Sequence, residues 1–325
     1  MTGEPPPPDR DPFGTFLPPV APPTSVGPPV PPPYPSPAYP PPGHPPAAPA
    51  PPAPTGTQPP PWSPWTGILA TLAGFGIASV LTAILLLAVA GTENGELGDI
   101  PAAASIAALV LQDVILLAVA LGAAALAARP RPWHFGWRPV RAFWPAVGWG
   151  ALLYVSFIAL AAGWLTLIGQ TDEKDTLAQD LGADESVAAA IVIAVLVAYA
   201  APVVEELLFR GLMFGSLRSR LGVLPAAAIT GVLFGGAHAA GSPPAFLLPL
   251  AFLGFGLCLL YHRTGSLYPS MAVHAINNSV AIVGALGWRS ELIPVVIAAS
   301  LTLLLLTGLA VRTLGGPVPA DAPAP

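Results

Sequence analysis

The sequence has little charge and almost no cysteine. Only 9% of its 325 residues are Asp, Glu, Lys or Arg, whereas 54% are hydrophobic. This balance is too apolar for an ordinary soluble domain, and it indicates an integral membrane protein with the lipid bilayer as its main surroundings. The single cysteine, Cys258, excludes an internal disulfide, a zinc site of several cysteines and any chemistry that needs paired thiols.

The sequence also lacks the features of a nucleic-acid-binding protein. The net charge is -5, and no basic stripe with interleaved aromatic residues is present. We therefore expect no nucleic-acid partner. The zinc-protease pattern H-E-x-x-H is absent as well.

Proline, by contrast, is abundant and concentrated at one end. Residues 1–64 hold more than half of the 45 prolines. Because proline fixes φ and removes a backbone donor, this segment is predicted to be a disordered, proline-rich tail. Whether this tail binds a partner that recognises proline-rich segments stays open. A second, short disordered tail is predicted at 315–325.

Between the tails, the chain consists of continuous apolar runs of membrane-spanning length. Because these runs lack the alternation of a strand barrel, they predict an all-α membrane protein of about eight transmembrane helices. The predicted spans are 66–91, 103–128, 143–169, 187–215, 223–241, 245–261, 266–287 and 292–313. Residues 65–186 form an N-terminal group of helices in this division, and 187–314 form a second group.

Short loops rich in arginine stay in the cytoplasm, so the arginines predict the orientation. Every even-numbered connection is basic, and the odd-numbered ones are mostly acidic. We therefore expect a multi-pass protein of the plasma membrane with both termini in the cytoplasm. The basic connections carry Arg129, Arg131, Arg138, Arg141, Arg218, Arg220 and Arg263, and Arg312 ends the last helix.

Very few charged residues remain at membrane depth, and three of them lie together in E-E-L-L-F-R. Glu206 and Arg210 are four residues apart, the spacing of an ion pair within one helix. Glu205 is rotated by about 100° from Glu206, so it has no partner in its own helix. A carboxylate buried in this way needs polar neighbours from other helices.

Two later helices offer such neighbours. F-G-G-A-H places His238 four residues after Phe234, and H-A-I-N-N places Asn278 four residues after His274. Counting the helical rise puts Glu205, His238 and His274 at about 20, 24 and 18 Å from the cytoplasmic side. A carboxylate beside imidazole can activate water, and His and Asn donors can stabilise an oxyanion.

These three short segments resemble the motifs EExxxR, FxxxH and HxxxN of the CAAX-prenyl-protease and bacteriocin-processing family. The resemblance covers about 187–290 and makes 187–314 the protease core. It implies an intramembrane endopeptidase that hydrolyses a membrane-associated peptide or protein in a cavity open toward the cytoplasm. The roles implied are water activation by Glu205 beside His238, and oxyanion binding by His274 and Asn278. Glu206, Arg210 and Phe234 would support the site.

Metal dependence and catalysis itself stay open at this point. Glu205, His238 and His274 would suit a divalent metal such as zinc, although we favour metal-independent water activation because asparagine is a poor zinc ligand. The alternative function is a non-catalytic membrane scaffold or immunity protein that keeps the protease fold. A small-solute transporter is a third hypothesis, and the absence of internal repeats disfavours it.

Overall fold

The structure is a computed structural model that describes residue 14 and residues 62–90, 92–93, 96–97, 100–173 and 177–315. Apart from Gly14, these residues belong to one compact unit, Pro54–Pro325. The tails predicted from the proline content lie almost entirely outside the described residues. The division of the membrane part at residue 187 also remains a prediction.

The described structure is helical except for one very short hairpin. The first helix is α1 (Pro64–Ala90), which is followed by β1 (Thr92–Glu93) and β2 (Glu96–Leu97), an antiparallel pair. Next come α2 (Ala102–Ala125), a 3₁₀ turn (Pro132–Phe135) and α3 (Phe143–Leu167). A single helical turn, α4 (Leu177–Asp180), precedes the second half of the chain.

The second half contains five longer helices. Helix α5 (Val187–Leu221) begins at the Ser186 N-cap, whose hydroxyl accepts from the backbone N–H of Ala189 at 3.1 Å. It is followed by α6 (Val223–Ala237), α7 (Pro244–Thr264), α8 (Leu267–Ala285) and α9 (Ile293–Gly315), with a 3₁₀ turn (Ser290–Leu292) before the last. Each predicted apolar run thus contains one helix.

Six of these helices are long and apolar enough to cross a membrane, which is fewer than the eight spans predicted. Helix α6 has only 15 residues, about 23 Å at the rise of an α-helix and short of a hydrocarbon core of about 30 Å. Helix α8 has 19 residues but carries His274, Asn277 and Asn278. The count of eight is therefore not confirmed, because length and polarity separate these two helices from the others.

The hydrophobic core lies around the middle of α5. Apolar residues from α2, α6, α7 and α8 pack against the buried α5 segment, whereas the outer faces of α1, α3 and α9 expose large apolar side chains. Exposed leucines and valines on outer faces are expected where lipid rather than water surrounds the protein. The buried α5 side chains of this core are Val204, Leu207, Leu208, Phe209, Leu212, Met213, Phe214 and Leu217.

Small residues bring α6 and α7 into close contact. A Cβ atom on Gly235 would lie 2.5 Å from the carbonyl oxygen of Leu247, and one on Gly231 would lie 2.6 Å from that of Ala251. Gly236 is different, since a Cβ there would meet nothing within 4 Å. Gly231 and Gly235 thus let α7 approach the helix that carries Phe234 and ends just before His238.

Candidate active site

The two glutamates and the arginine lie in a part of α5 that departs from regular α-helical geometry. The segment Ala201–Glu206 is α-helical, but Leu196–Ala200 before it and Leu207–Phe214 after it are π-helical. Pro202 has no backbone N–H, which removes one helical hydrogen bond next to the first wide turn. Wide turns of this type occur frequently at functional sites.

Glu206 and Arg210 form the predicted ion pair, and His274 of α8 contacts the same carboxylate oxygen of Glu206. Glu206 Oε1 lies 2.8 Å from Arg210 Nη1 and 3.0 Å from His274 Nδ1. The contact with arginine is close, but its angle is not that of a hydrogen bond. Glu206 and Arg210 are fully buried. The charges offset each other, which a buried carboxylate requires.

Arg210 makes two further contacts besides the one with the Glu206 carboxylate. Its Nη2 donates to the carbonyl oxygen of Gly254 in α7 at 3.1 Å, and its guanidinium lies 4.4 Å from the centre of the Phe234 ring. Arginine therefore ties α5 to both α6 and α7. Because both contacts depend on the planar guanidinium, lysine would not replace it.

Glu205 lies beside the same imidazole but forms no hydrogen bond with it. Its Oε2 is 3.8 Å from His274 Nε2, too far for a hydrogen bond, and it has no hydrogen-bond partner among the described residues. The residue is 9% exposed. The neighbouring carboxylates thus lie at the two nitrogens of one ring, with Glu206 bonded at Nδ1 and Glu205 free to bind at Nε2.

The hydrogen bond of His238 determines its tautomer. His238 follows the last residue of α6, and its Nδ1 lies 2.8 Å from the carbonyl oxygen of Phe234. A carbonyl oxygen can only accept, so Nδ1 carries the proton. In the neutral ring, Nε2 is then an acceptor, as required to orient a water molecule.

Phe234 lies between the two histidines. Its ring centre is 4.8 Å from that of His238 and 5.4 Å from that of His274. The structure therefore brings Glu205, Glu206, Arg210 and His274 into direct contact, while His238 joins them through the aromatic ring. Phe234 is fully buried, which fits the supporting role predicted from its motif position.

Asn278 has a contact that the sequence did not predict. Its Nδ2 donates to the carbonyl oxygen of Val197 at 2.9 Å, and its Oδ1 accepts from Asn277 at 3.2 Å. Val197 lies in the first π-helical segment of α5, where a carbonyl oxygen is available to a side chain. Asn278 therefore fastens α8 to α5 with one amide hydrogen and keeps the second for another acceptor.

The arrangement of the side chains bears on the metal alternative. Among the described residues, no three His, Cys, Asp or Glu side chains are grouped so that they could hold a metal ion. His274 Nδ1 is engaged by Glu206, and His238 contacts the other motif residues only through Phe234. Glu205, His238 and His274 do not form a three-ligand set in this arrangement.

Comparison with known protein families identifies this region. Residues 187–280 match a family model described as type II CAAX prenyl endopeptidase Rce1-like. This segment is an Rce1-like domain. It contains Glu205, Glu206, Arg210, Phe234, His238, His274 and Asn278. No curated protein and no solved structure gives a significant match to the chain.

The Rce1-like domain confirms the resemblance seen in the three motifs. Together with the six apolar helices, it indicates a multi-pass membrane protein with an intramembrane endopeptidase domain. The match begins at Val187, the first residue of α5, and ends inside α8. The three motifs all lie within the matched residues, together with the whole of α5, α6 and α7 and most of α8.

Proposed function

We propose that this protein hydrolyses a peptide bond of a membrane-associated protein or peptide, with Glu205 as the base that activates water. One observation carries the proposal: among the described residues, Glu205 has a buried oxygen next to His274 with no hydrogen-bond partner and no arginine beside it, whereas Oε1 of the adjacent Glu206 is paired with both Arg210 and His274. A purely structural carboxylate would be expected to have its own partner, because an unsatisfied buried charge is costly.

The reaction assigns a separate task to each side chain. Glu205 takes a proton from water as the oxygen attacks the scissile carbonyl carbon, and His238 Nε2 orients that water. The proton on Glu205 then passes to the leaving nitrogen as the C–N bond breaks. The products are a new carboxylate and a new amine.

In this proposal, His274 and Asn278 of α8 stabilise the oxyanion. The Glu206 carboxylate accepts from His274 Nδ1–H, and in this proposal His274 carries a second proton on Nε2. His274 Nε2–H and the second amide hydrogen of Asn278 can then donate to the developing oxyanion. Arg210 holds the Glu206 carboxylate in position through the contact at 2.8 Å.

The cellular setting belongs to the same proposal. We propose that both termini and the opening of the site face the cytoplasm, because short arginine-rich connections stay on that side of a membrane, and that this membrane is the plasma membrane. Peptides anchored at that surface by a prenyl group, an acyl chain or a transmembrane segment are the substrate candidates. Water activation is proposed to be metal-independent, with zinc binding as the alternative.

A test uses the purified full-length protein in lipid vesicles with three sets of peptides, one set for each type of anchor. Mass spectrometry should detect new peptide termini in at least one set. His238→Gln should slow their formation at least tenfold, because Gln can still donate to the Phe234 carbonyl but is not a comparable acceptor.

The control is His44→Gln, which changes a histidine of the proline-rich segment and should keep the wild-type rate. If a folded wild-type protein cleaves none of the anchored peptides, the endopeptidase proposal fails and the scaffold alternative is favoured. If His238→Gln works at the wild-type rate, the role of His238 is wrong.

A further inference from the structure

A large apolar groove lies on the outer face of the helices, and neither Glu205 nor Glu206 lines it. It has a volume of about 660 Å³ and is lined by α3, α6 and α7. Its lining is apolar apart from Ser156 and Arg263. Its apolar residues include Leu152 of α3, Val232 of α6, and Phe252 and Leu259 of α7. Phe252 and Leu259 lie on the face of α7 away from Gly254, whose carbonyl oxygen accepts from Arg210.

A second, basic cavity lies at one end of this groove. It has a volume of about 220 Å³ and is formed by the segment before α3 together with the ends of α5 and α7. No carboxylate lines it. Its charged and titratable residues are Arg138, Arg141, Arg218, His262 and Arg263. We call this cavity the basic pocket.

The arginines of the basic pocket have no acidic partners within the described residues, where the only arginine–carboxylate ion pairs are those of Arg210 and Arg289. Arg138 Nε and Arg218 Nε are buried and have no hydrogen-bond partner in that part of the chain. Burial lowers the pKa of Arg138, and the charges of Arg141 and Arg218 lower it further. Uncompensated guanidinium groups in a partly buried cavity attract an anion.

The groove and the basic pocket share two residues, Trp149 and Arg263. The Arg263 guanidinium lies 4.2 Å from the centre of the Trp149 ring. A tryptophan stacked with arginine is typical of the boundary between hydrocarbon and headgroups. The two cavities therefore form one amphipathic site, apolar along the groove and cationic at its end.

We infer that this site binds an anionic phospholipid, with the phosphate headgroup in the basic pocket and an acyl chain in the groove. Charge complementarity selects an anionic lipid over a zwitterionic one, since four guanidinium groups surround the headgroup position. Basic pockets between membrane helices on the cytoplasmic side bind anionic headgroups in this way. The inference does not depend on the proposed proteolysis, because Glu205 lines neither the groove nor the basic pocket.

The test measures lipid retention by the full-length protein in neutral detergent, using native mass spectrometry. Dioleoylphosphatidylglycerol is compared with dioleoylphosphatidylcholine, which has the same chains and a zwitterionic headgroup. Wild type should bind the anionic lipid about tenfold more tightly. The double variant Arg141→Gln/Arg263→Gln should lose this preference.

The matched control is Arg129→Gln/Arg220→Gln, which removes two exposed arginines that do not line the pocket. It should keep the wild-type preference. Equal retention of both lipids by wild type would overturn the inference. So would an equal loss of preference in the pocket and control variants, because net charge alone would then explain binding.

Two further measurements separate a lipid from a free phosphate. Val232→Trp, at an exposed groove position, should weaken retention of the anionic lipid if its chain lies there. Unchanged retention would overturn the groove assignment. If excess inorganic phosphate displaces the lipid while Val232→Trp has no effect, the basic pocket is a site for a soluble anion, and the lipid inference is wrong.

Discussion

Replacing Glu205 with Gln is expected to lower the rate of peptide hydrolysis by about 100- to 10,000-fold, the contribution typical of a general base. The side chain keeps its size and loses only its ability to take a proton. Because Glu205 Oε2 has no hydrogen-bond partner in the described structure, the change should leave the thermal unfolding midpoint nearly unchanged. Both quantities can be measured with purified protein and a cleaved peptide.

The adjacent glutamate provides the control for this prediction. Glu206→Gln should lower the unfolding midpoint, because it leaves Arg210 buried without its ion-pair partner. A rate effect with stability preserved for Glu205, and a loss of stability for Glu206, would separate the two roles. Wild-type activity in a folded Glu205→Gln protein would contradict the assignment of the base.

Replacing Arg210 with Met is expected to destabilise the protein by about 3–5 kcal/mol, because the change leaves a buried carboxylate unpaired. Methionine preserves much of the packing volume but makes neither the ion pair with Glu206 nor the hydrogen bond to Gly254. Unfolding of the purified protein in detergent measures the effect. Adding Glu206→Gln to Arg210→Met should recover part of the stability, since the unpaired charge is then removed.

Arg289→Met is the matched control for Arg210→Met. Arg289 pairs with Glu291 at 3.3 Å, but the side chains are 83% and 68% exposed. Solvent weakens such a pair, so its loss should have little effect on unfolding. Equal effects of the two substitutions would show that burial of the Glu206–Arg210 pair does not matter for stability.

Much of this site could be predicted from sequence because it consists of side chains at helical spacing. The four-residue separation of Glu206 and Arg210 predicted their ion pair, and the rarity of charge in the apolar runs singled out Glu205. The two histidine motifs predicted which later helices would contribute. The contact between Glu205 and His274 agrees with the similar depths expected for these residues.

Other contacts could not be predicted, because one partner is backbone. Nothing in the residue types marks the carbonyl of Val197 as the acceptor for Asn278, or that of Gly254 as the acceptor for Arg210. Asn277, which donates to Asn278, was visible in H-A-I-N-N but was not assigned a role. The π-helical turns on both sides of Ala201–Glu206 were not predicted either, since a regular helix was assumed.

The count of eight spans is not confirmed for a related reason. Apolar runs predicted where the helices are, but a run does not determine how much of it becomes helix. Residues 238–241 lie in the predicted fifth span, yet α6 ends at Ala237 and the chain turns before α7. The short α6 and the polar α8 are the helices that present His238, His274 and Asn278.

The most direct measurement compares the peptide termini present in cell membranes that contain the wild-type protein with those in membranes that contain Glu205→Gln at equal abundance. Unbiased mass spectrometry of membrane fractions detects cleavage of any substrate that these membranes contain. The account predicts specific new termini that appear only with wild type. Identical sets of termini, with both proteins folded, would contradict an active protease and favour the membrane scaffold.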